Sequence, residues 1–587
     1  MGRGPRRLAR GAALGLVTSA ASVAGAVAQG GPAEEVAGGS AARPIREIIR
    51  TRIEAGTGAV APVMIVQDER IHAATELPLF YESRGFLPAW VTEDGPTAAA
   101  DSALRAIEEA EREGLEPTNY HLRRIRSVYA DARRARRADS VPDRTRLADL
   151  DLLLTDAFLL YGAHLVGGVV DPVTMHPEWT ASRREADLVA LLDSALSTGR
   201  IRAALQTLLP RHPAYLRLRE ALHRYRMVAA AGGWPELGGA TLRLGSEGPD
   251  VAPLRRRLVL AGDLAAGPPG QEDHFDEQVE EAVRRFQRRH GLPQDGVAGL
   301  ETTGIMNTPV EERIRAIVLN MERWRWLPRD LGQRHILVNI AGFALDVVDG
   351  DSTVFTSRVM VGHRYRKTPV FSDRMTYLVL SPTWTIPPNI LEQDKLPLIR
   401  SDPGYLRAHR IRVLAPDGSE VDPRTVDWST ITGTTRLRFR MDAGPENPLG
   451  RVKFMFPNAH HVYLHDTPDH ELFDRAARTF SSGCIRVERP FELAALLLRD
   501  QPAWTPARIE TVVRGGVERT IPLARPIPVH LLYWTAWAEP DGSIHFRRDI
   551  YDRDPALDEA LRIPPPVAAA DGRGPAEGAR PAVFTRP

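Results

Sequence analysis

Two kinds of hydrophobic pattern divide the chain. In the first half, apolar positions recur at the three-to-four spacing of helices, most clearly over residues 103–110 and 149–165. From residue 334 the period becomes two, which is typical of half-buried strands. The predicted strands are 335–340, 343–348, 354–361, 377–384 and 452–456. We therefore predict a helical first half followed by a mainly β second half.

Residues 242–307 have a helical pattern of their own. One helix ends near residue 260, and a second covers 275–290, with Val279, Val283 and Phe286 on one face. A glycine-rich turn then leads to a short third helix. This order predicts a compact three-helix unit, and a helix over 310–327 follows it.

The β half is interrupted and then resumes. Residues 390–440 are charged and contain prolines, which indicates an insertion into the sheet. Beyond it, the pattern predicts a helix over 491–498. Further strands are predicted over 508–513, 529–536 and 544–546.

The N-terminus has the pattern of a secretory signal. Four arginines precede an apolar run over residues 11–26, and Ala26-Val27-Ala28 predicts cleavage after Ala28. No later stretch reads as long and apolar enough to span a bilayer. The compositionally biased residues 29–75 predict a linker with one short helix, and residues 564–587 predict a disordered tail.

Composition excludes some function classes. A chain of 587 residues predicts several domains, and 76 Lys+Arg against 75 Asp+Glu argue against a nucleic-acid partner. The histidines show no paired-ligand spacing, so neither a metal nor another cofactor is expected. Nearly all cations are arginine, and the lysines are Lys367, Lys395 and Lys453.

Cys484 is the only cysteine, so it cannot form an internal disulfide. It follows Ser-Ser-Gly, which predicts a tight turn, and His465 ends an alternating segment that begins at His461. An imidazole can take the proton of a thiol, and backbone N–H groups at such a turn can hold an oxyanion. The alternatives are a small buried cysteine and a redox-sensing thiol, and a resolving cysteine is missing for the latter.

Three further histidines compete with His465 for the role of base. His460 falls on the opposite face of the predicted strand, and His470 follows the strand. His461 shares the face of His465 but lies about 13 Å upstream at the rise of a strand. Strand parity therefore favours His465.

Two stretches resemble the catalytic signature of the L,D-transpeptidases, which cross-link peptidoglycan and are sensitive to carbapenems. They are Tyr-Leu-His-Asp-Thr-Pro at 463–468 and Ser-Gly-Cys-Ile-Arg-Val at 482–487. Residues 440–450 and 453–458 extend the resemblance. Many members have a second histidine directly before Gly-Cys. Here that residue is Ser482, as in the large branch with a helical scaffold domain.

The resemblance implies a multidomain α+β protein. It implies a helical scaffold domain, a three-helix peptidoglycan-binding-like module and a mainly β L,D-transpeptidase catalytic domain with an inserted capping subdomain. The expected boundaries are signal peptide 1–28, linker 29–75, scaffold 76–235, module 236–308, connecting helix 309–330, catalytic domain 331–515 with a cap at about 390–440, C-terminal strands 516–563 and tail 564–587.

The resemblance also implies a reaction and its site. Cys484 would form a thioester with a donor tetrapeptide stem, and the diaminopimelate amine of an acceptor stem would resolve it into a 3–3 cross-link. His465 would be the base, oriented by the backbone carbonyl of Asp466, with Gly483 in the oxyanion hole. The expected substrate-binding residues are Trp384, Tyr463, Asn447, Ser482 and Arg486. The location implied is the periplasm, at the cell wall, where the product contributes to cell shape.

Other functions remain open at the level of sequence. The same thioester could pass to water, which would make the protein an L,D-carboxypeptidase or endopeptidase. A wall-binding scaffold with an inactive thiol is a third possibility, and the presence of nucleophile, base and turn residues argues against it.

Overall fold

The computed structural model describes residues 43–57, 64–138, 140–181, 183–267 and 272–563. The predicted signal peptide at 1–28 and tail at 564–587 lie outside these residues. The N-terminal region is helical, with two short hairpins. Its elements are α1 (Ile45–Thr57), β1 (Ile65–Val66), β2 (Glu69–Arg70), α2 (Glu76–Ser83), β3 (Val91–Thr92), β4 (Gly95–Pro96), α3 (Ala98–Glu108), α4 (Leu122–Arg137), α5 (Arg144–Gly167), α6 (Pro172–Met175), α7 (Leu188–Thr198), α8 (Ile201–Gln206) and α9 (Pro213–Ala230).

Helix α5 is the centre of this region. Among the described residues it alone has the length and apolar composition of a membrane span, and 78% of its most apolar window is buried inside the protein. The expectation that no such stretch follows the N-terminus was therefore wrong. Asp151 in α5 accepts hydrogen bonds from the backbone N–H groups of Ala89, Trp90 and Val91. A carboxylate inside a core helix is tolerated because backbone donors satisfy it.

The segment expected to be a linker contains the predicted short helix, α1. Ile45, Ile49 and Ile53 recur at a spacing of four and are all buried, and α1 packs against α5. Residues 64–73 also contribute buried side chains. The described part of 29–75 thus belongs to the helical core, because the four-residue spacing gives α1 an apolar face.

The three-helix unit is present, with α10 (Val251–Ala261), α11 (Glu277–His290) and α12 (Leu300–Met306). Its apolar residues form a cluster separate from the main core, and that cluster includes Val279, Val283 and Phe286. Helix α13 (Val310–Arg325) follows and is almost wholly buried beyond Ile317. It packs against α9 and returns the chain to the main core.

The β half begins with β5 (Arg334–Asn339), β6 (Ala344–Asp349), β7 (Ser352–Gly362) and β8 (Phe371–Leu380). The predicted strand 377–384 is two strands, because Ser381 takes a positive φ of 47° and turns the chain. The insertion then follows as β9 (Trp384–Thr385), α14 (Pro388–Ile390), a π-helical turn (Leu391–Lys395), α15 (Leu396–Ser401), α16 (Tyr405–Ala408), β10 (Ile411–Leu414) and β11 (Arg438–Met441). These elements, called the cap below, have their own three-stranded sheet and their own apolar cluster.

The chain continues through β12 (Val452–Met455), β13 (Leu464–His465), β14 (Thr479–Ser481), β15 (Ile485–Val487), α17 (Pro490–Leu497), α18 (Pro506–Arg514), β16 (Arg519–Leu532), β17 (Ala536–Ala538), β18 (Ile544–Phe546) and α19 (Asp554–Arg562). The nine-stranded sheet has the order β14-β7-β15-β13-β12-β8-β16-β5-β6, and β6 also pairs with β7. The sheet therefore closes on itself. Strand β16 is a member of this sheet and pairs with both β8 and β5. The sequence-based boundary had instead placed the residues from 516 after the catalytic domain.

The strand predicted over 508–513 is wrong, because these residues lie in α18. Thr505 caps the helix by accepting a hydrogen bond from the N–H of Arg508, and Pro506 occupies the first turn. Ile509 and Val513 are buried one helical turn apart. The alternation that indicated a strand is thus outweighed by an N-cap and a four-residue apolar spacing.

Candidate active site

The pairing of two short strands places the thiol and the imidazole on one face of the sheet. β13 and β15 are parallel, with Leu464 opposite Ile485 and His465 opposite Arg486. Leu464 and Ile485 are fully buried in the core. Because side chains alternate along a strand, His465, Arg486 and the residue before β15, Cys484, point to the other face.

The turn before β15 is fixed by the hydroxyl of Ser481. This hydroxyl donates to the carbonyl of Cys484 at 2.5 Å and accepts from the N–H of Gly483 at 3.1 Å. Gly483 has φ +116°, which only glycine adopts readily, and its carbonyl accepts from Thr368 Oγ1 at 2.9 Å. Among the described residues no protein group accepts the N–H of Cys484.

The Cys484 thiol is half-buried, and its Sγ lies 3.8 Å from the carbonyl oxygen of His461. His461 has φ +54° and lies outside β13, so the predicted alternation from 461 begins only at 464. Burial raises the pKa of the thiol, and hydrogen bonding from Tyr463 together with the charges of Lys453 and Arg486 partly offsets this. The resting site therefore favours the neutral thiol.

His465 is buried and held by its own backbone. Its Nδ1 donates to the carbonyl of Asp466 at 2.5 Å, and a hydrogen bond to the backbone of Pro448 also favours the protonated ring. Burial lowers the pKa of His465 to about 3, with the charge of Arg486 acting in the same direction. The resting imidazole is thus neutral, and the site disfavours its protonated form.

The carboxylate of Asp466 supports the turn after β13. Asp466 Oδ2 accepts from the N–H of Arg451 at 2.8 Å, and Oδ1 lies 3.1 Å from His470 Nε2. Gly450, at φ +60°, packs directly on this side chain, and a Cβ there would overlap it. The carboxylate therefore fixes the position of the carbonyl that holds His465.

The other residues predicted for the substrate site divide into two groups. Tyr463 and Arg486 lie beside Cys484 and His465, and Arg486 pairs with Asp469 at 2.8 Å. Ser482 is exposed next to the thiol turn. Trp384 and Asn447 are buried instead, as described next.

Trp384 belongs to the apolar cluster of the cap, which Tyr463 also contacts. Asn447 lies in the turn before β12, where its Nδ2 donates to the carbonyls of Pro382 and Asp442. Its Oδ1 accepts from the N–H of Leu449 at 2.9 Å. Both residues thus shape the connection between the cap and the sheet.

Sequence reasoning missed Lys453 as a site residue. It lies directly opposite His465 on β12, and its Nζ is 3.9 Å from the centre of the Tyr463 ring. Burial lowers the pKa of Lys453, and the charge of Cys484 opposes that shift. Two features of the sequence could have indicated Lys453. It lies in the predicted strand 452–456, and the chain has only three lysines.

The competing histidines lie elsewhere. The His460 ring packs on Phe371 with ring centres 4.8 Å apart, and His470 contacts Asp466 as described above. His461 faces the thiol with its carbonyl. Within the described part of the chain, no three side chains of His, Cys, Asp or Glu are grouped to hold a metal ion.

Comparison with known proteins identifies three regions of the chain. Residues 75–222 match the family model of a scaffold domain, and residues 333–512 match that of the L,D-transpeptidase catalytic domain. Residues 247–306 match a model described as "Putative peptidoglycan binding domain". The second match contains the whole candidate site.

A curated relative from Haemophilus influenzae, described as "Putative L,D-transpeptidase", is 37% identical over 238 residues, which are 40% of this chain and 48% of the relative. The chain thus matches about half the length of that relative. Solved structures of L,D-transpeptidases from Stackebrandtia nassauensis and Xylanimonas cellulosilytica are 12% and 13% identical. Each covers 50% of this chain, with 94% and 98% of its own length matched and TM-scores of 0.21 and 0.15. The chain thus contains a region that matches the L,D-transpeptidase catalytic domain, together with regions that match a scaffold domain and a putative peptidoglycan-binding domain.

Proposed function

We propose that the protein is a peptidoglycan L,D-transpeptidase that forms 3–3 cross-links through a thioester on Cys484. The observation that carries this proposal is the parallel register of β13 and β15. It places the single thiol of the chain and a neutral, backbone-held imidazole on the same face, beside the cap. Nucleophilic acyl transfer by cysteine needs a thiol and a base in one site, and the shared face supports this pairing.

In the acylation step, Sγ of Cys484 attacks the amide carbonyl before the terminal D-residue of a donor stem peptide. His465 accepts the thiol proton as the C–S bond forms, and then gives it to the departing D-alanine amine as the C–N bond breaks. The raised pKa of the thiol means that proton transfer accompanies attack and does not precede it. The ring keeps its orientation through the Asp466 carbonyl.

The oxyanion needs N–H donors near the sulfur. The N–H of Cys484 has no protein acceptor among the described residues and is our candidate donor. The N–H of Gly483 is bonded to Ser481 and would join only if that bond opened. We propose that Tyr463, Arg486 and the exposed Ser482 bind the stem peptides. Trp384 and Asn447 contribute by shaping the cap and its connection.

In the second step, the side-chain amine of diaminopimelate in an acceptor stem attacks the thioester carbonyl. A C–N bond forms and the C–S bond breaks. The proton that the amine releases passes through His465 to the sulfur and restores the free thiol. Such a reaction belongs outside the cytoplasm, which fits the predicted signal peptide and the matched wall-binding domain type. We therefore propose the periplasm as the location.

The test is mass spectrometry of muropeptides after purified protein has been incubated with tetrapeptide stems. We expect 3–3 linked dimers and released D-alanine, and none of either with Cys484→Ala. Cys484→Ser is the matched variant. It nearly keeps the side-chain volume but replaces the thiol with a hydroxyl, which is a poorer nucleophile. Dimer formation by Cys484→Ala would refute the role of the thiol. Tripeptide without dimer would identify a hydrolase that uses the same thioester.

A further inference from the structure

One side chain joins the cap to the turn that carries Cys484. Arg366 grips the carboxylate of Asp394 with both terminal nitrogens, at 2.7 and 3.0 Å, and donates to Gln393 Oε1 at 2.6 Å. Its Nη1 also donates to the hydroxyl of Ser482 at 2.8 Å. The Arg366 side chain is 13% exposed, whereas its partner Asp394 is 40% exposed and Ser482 also lies on the surface.

The backbone of Arg366 is fixed to the thiol turn. It lies in the loop after β7, where Thr368 Oγ1 accepts from the N–H of Gly362 and donates to the carbonyl of Gly483. The carbonyl of Arg366 lies 3.8 Å from the place that a Cβ on Gly483 would take. The loop and the turn are therefore joined by a hydrogen bond, and the guanidinium of Arg366 reaches from the loop to the cap.

The other end of the bridge lies in a distinctive part of the cap. Gln393 and Asp394 are in the π-helical turn Leu391–Lys395, and such turns are rare and occur frequently at functional sites. The cap has an apolar cluster of its own, separate from the core of the large sheet. A unit with its own core can shift as a body when the polar bridges at its edge break.

We infer that Arg366 is a positioning residue that latches the cap over the thiol turn and so favours a peptide amine over water as the acceptor of the thioester. The inference rests on the proposed function. The bridge combines a charged, bidentate pair with a hydroxyl contact, and the bidentate geometry gives the pairing directional specificity. When the Arg366 bridge is intact, it holds both Ser482 and the cap in place.

The thioester on Cys484 can give two products, and the acceptor that attacks it decides which one forms. An amine that attacks the thioester carbonyl gives an amide and the free thiol, with its proton passing through His465. Water attacking the same carbonyl gives a carboxylic acid and the free thiol. Closing a site excludes water, so the closed cap disfavours the second route.

The experiment compares variants that break different parts of the bridge. Asp394→Asn removes only the charge on the cap, Ser482→Ala removes only the contact to the turn, and Arg366→Ala removes both. Arg364→Ala is the matched control, because Arg364 lies in the same loop, is exposed and pairs with Asp552 away from the cap. The double variant Arg366→Ala/Asp394→Asn measures whether the two residues act as one unit.

Two readouts are used on the full chain. The first is the ratio of tripeptide to 3–3 dimer in the product mixture. We expect it to rise roughly fivefold to tenfold in Arg366→Ala and Asp394→Asn, with no further rise in the double variant and no change in Arg364→Ala. The second is amide hydrogen exchange over residues 388–401, which we expect to quicken in the same two variants.

The two readouts separate the latch from the reaction. If exchange over 388–401 is unchanged in Arg366→Ala, the latch is refuted, whatever the activity. If exchange quickens but the product ratio does not change, Arg366 does not determine the acceptor and the inference is overturned. If the wild type forms no thioester product at all, the proposed function fails, and the exchange measurement still tests whether Arg366 holds the cap.

Discussion

Lys453 and His465 lie directly opposite each other on antiparallel strands β12 and β13, so a half-buried ammonium lies beside the site on the strand next to the base. Its charge lowers the pKa of the Cys484 thiol, against the larger effect of burial. Lys453 thus limits the cost of forming a thiolate at the half-buried Cys484. Substitution of Lys453 therefore tests how its charge affects the ionisation of Cys484.

We predict that Lys453→Met shifts the pH profile of Cys484 alkylation by iodoacetamide to higher pH. In the wild type the inflection lies above the ordinary thiol value of about 8.5, because burial raises this pKa. The rate therefore rises with pH through the alkaline range, and loss of the cation moves the rise further up. The control is Lys395→Met on the cap. An unchanged profile in Lys453→Met would show that Lys453 does not stabilise the thiolate.

Gly450→Ala should lower cross-linking about a hundredfold or more, because the new Cβ would displace Asp466 and with it the carbonyl that holds His465. Gly350→Ala is the matched control. Gly350 has φ +62°, close to the +60° of Gly450, and nothing lies within 4 Å of an added Cβ. The control should lose about 1 kcal/mol of stability and keep its activity. Equal activity loss in both variants would assign the effect to backbone strain.

A carbapenem should form a covalent adduct on Cys484, since its strained lactam carbonyl is open to attack by the sulfur and the ring opening retains every atom. Intact-mass spectrometry should show the added mass of the whole drug on the wild type and none on Cys484→Ala. A simple penicillin should react much more slowly or give a less stable adduct. Equal and lasting acylation by both drugs would contradict the assigned reaction.

The scaffold region should lose stability as the pH rises toward 9. His121 lies between Asp156, at 2.7 Å, and Glu69, at 3.1 Å, and although burial opposes its charge these partners raise its pKa to about 9. A raised pKa gives stability that is present in full below the unfolded value of about 6.5 and is lost as pH rises through the folded value. The loss should be on the order of 2–3 kcal/mol.

The measurement is the unfolding temperature between pH 6 and pH 9.5 for the wild type and His121→Gln. The variant should be less stable at pH 6 and should lose less stability on the way to pH 9.5. His164→Gln is the control, because burial lowers the pKa of His164 to about 3 and that ring is already neutral at pH 6. A parallel decline in wild type and His121→Gln would rule out His121 as the titrating group.

Removal of the three-helix unit should destabilise the rest of the protein. Arg547 donates to the carbonyls of Arg288 and Arg289 at the end of α11, and Arg289 donates to the carbonyl of Ile544 in β18. The His290 ring stacks on Phe546, with ring centres 5.6 Å apart. These contacts favour a unit that also braces the catalytic half.

We therefore expect deletion of residues 236–308 to lower the unfolding temperature, to weaken pelleting with purified sacculi and to reduce turnover of soluble tetrapeptide. Arg547→Ala separates the roles, because it removes the brace and leaves the unit in place. It should lower the unfolding temperature, at a cost of about 2 kcal/mol, and keep binding to sacculi. Undiminished sacculus binding by the deletion variant would refute the wall-binding role.

Much of the chemistry could be predicted from local sequence. The signature around Cys484 and His465 needs only a tight turn and a strand end, and both are properties of a few adjacent residues. The long helices α5, α11 and α13 were also predicted, because their apolar spacing is sustained over several turns. The three-helix unit and the cap were predicted as separate regions, and each has its own apolar cluster.

Only the tertiary structure decided which distant residues meet at the site. Lys453 and Arg366 carry no local signal for their roles. Lys453 becomes a neighbour of His465 through strand register, and Arg366 reaches Asp394 across the gap between cap and sheet. Short elements such as α18 and the two-residue β13 were misjudged, because so few residues hold little periodicity and capping and packing settle them. The sequence by itself determined the candidate reacting groups and the long helices. The closed sheet determined their surroundings, because its pairings join residues that are far apart in the chain.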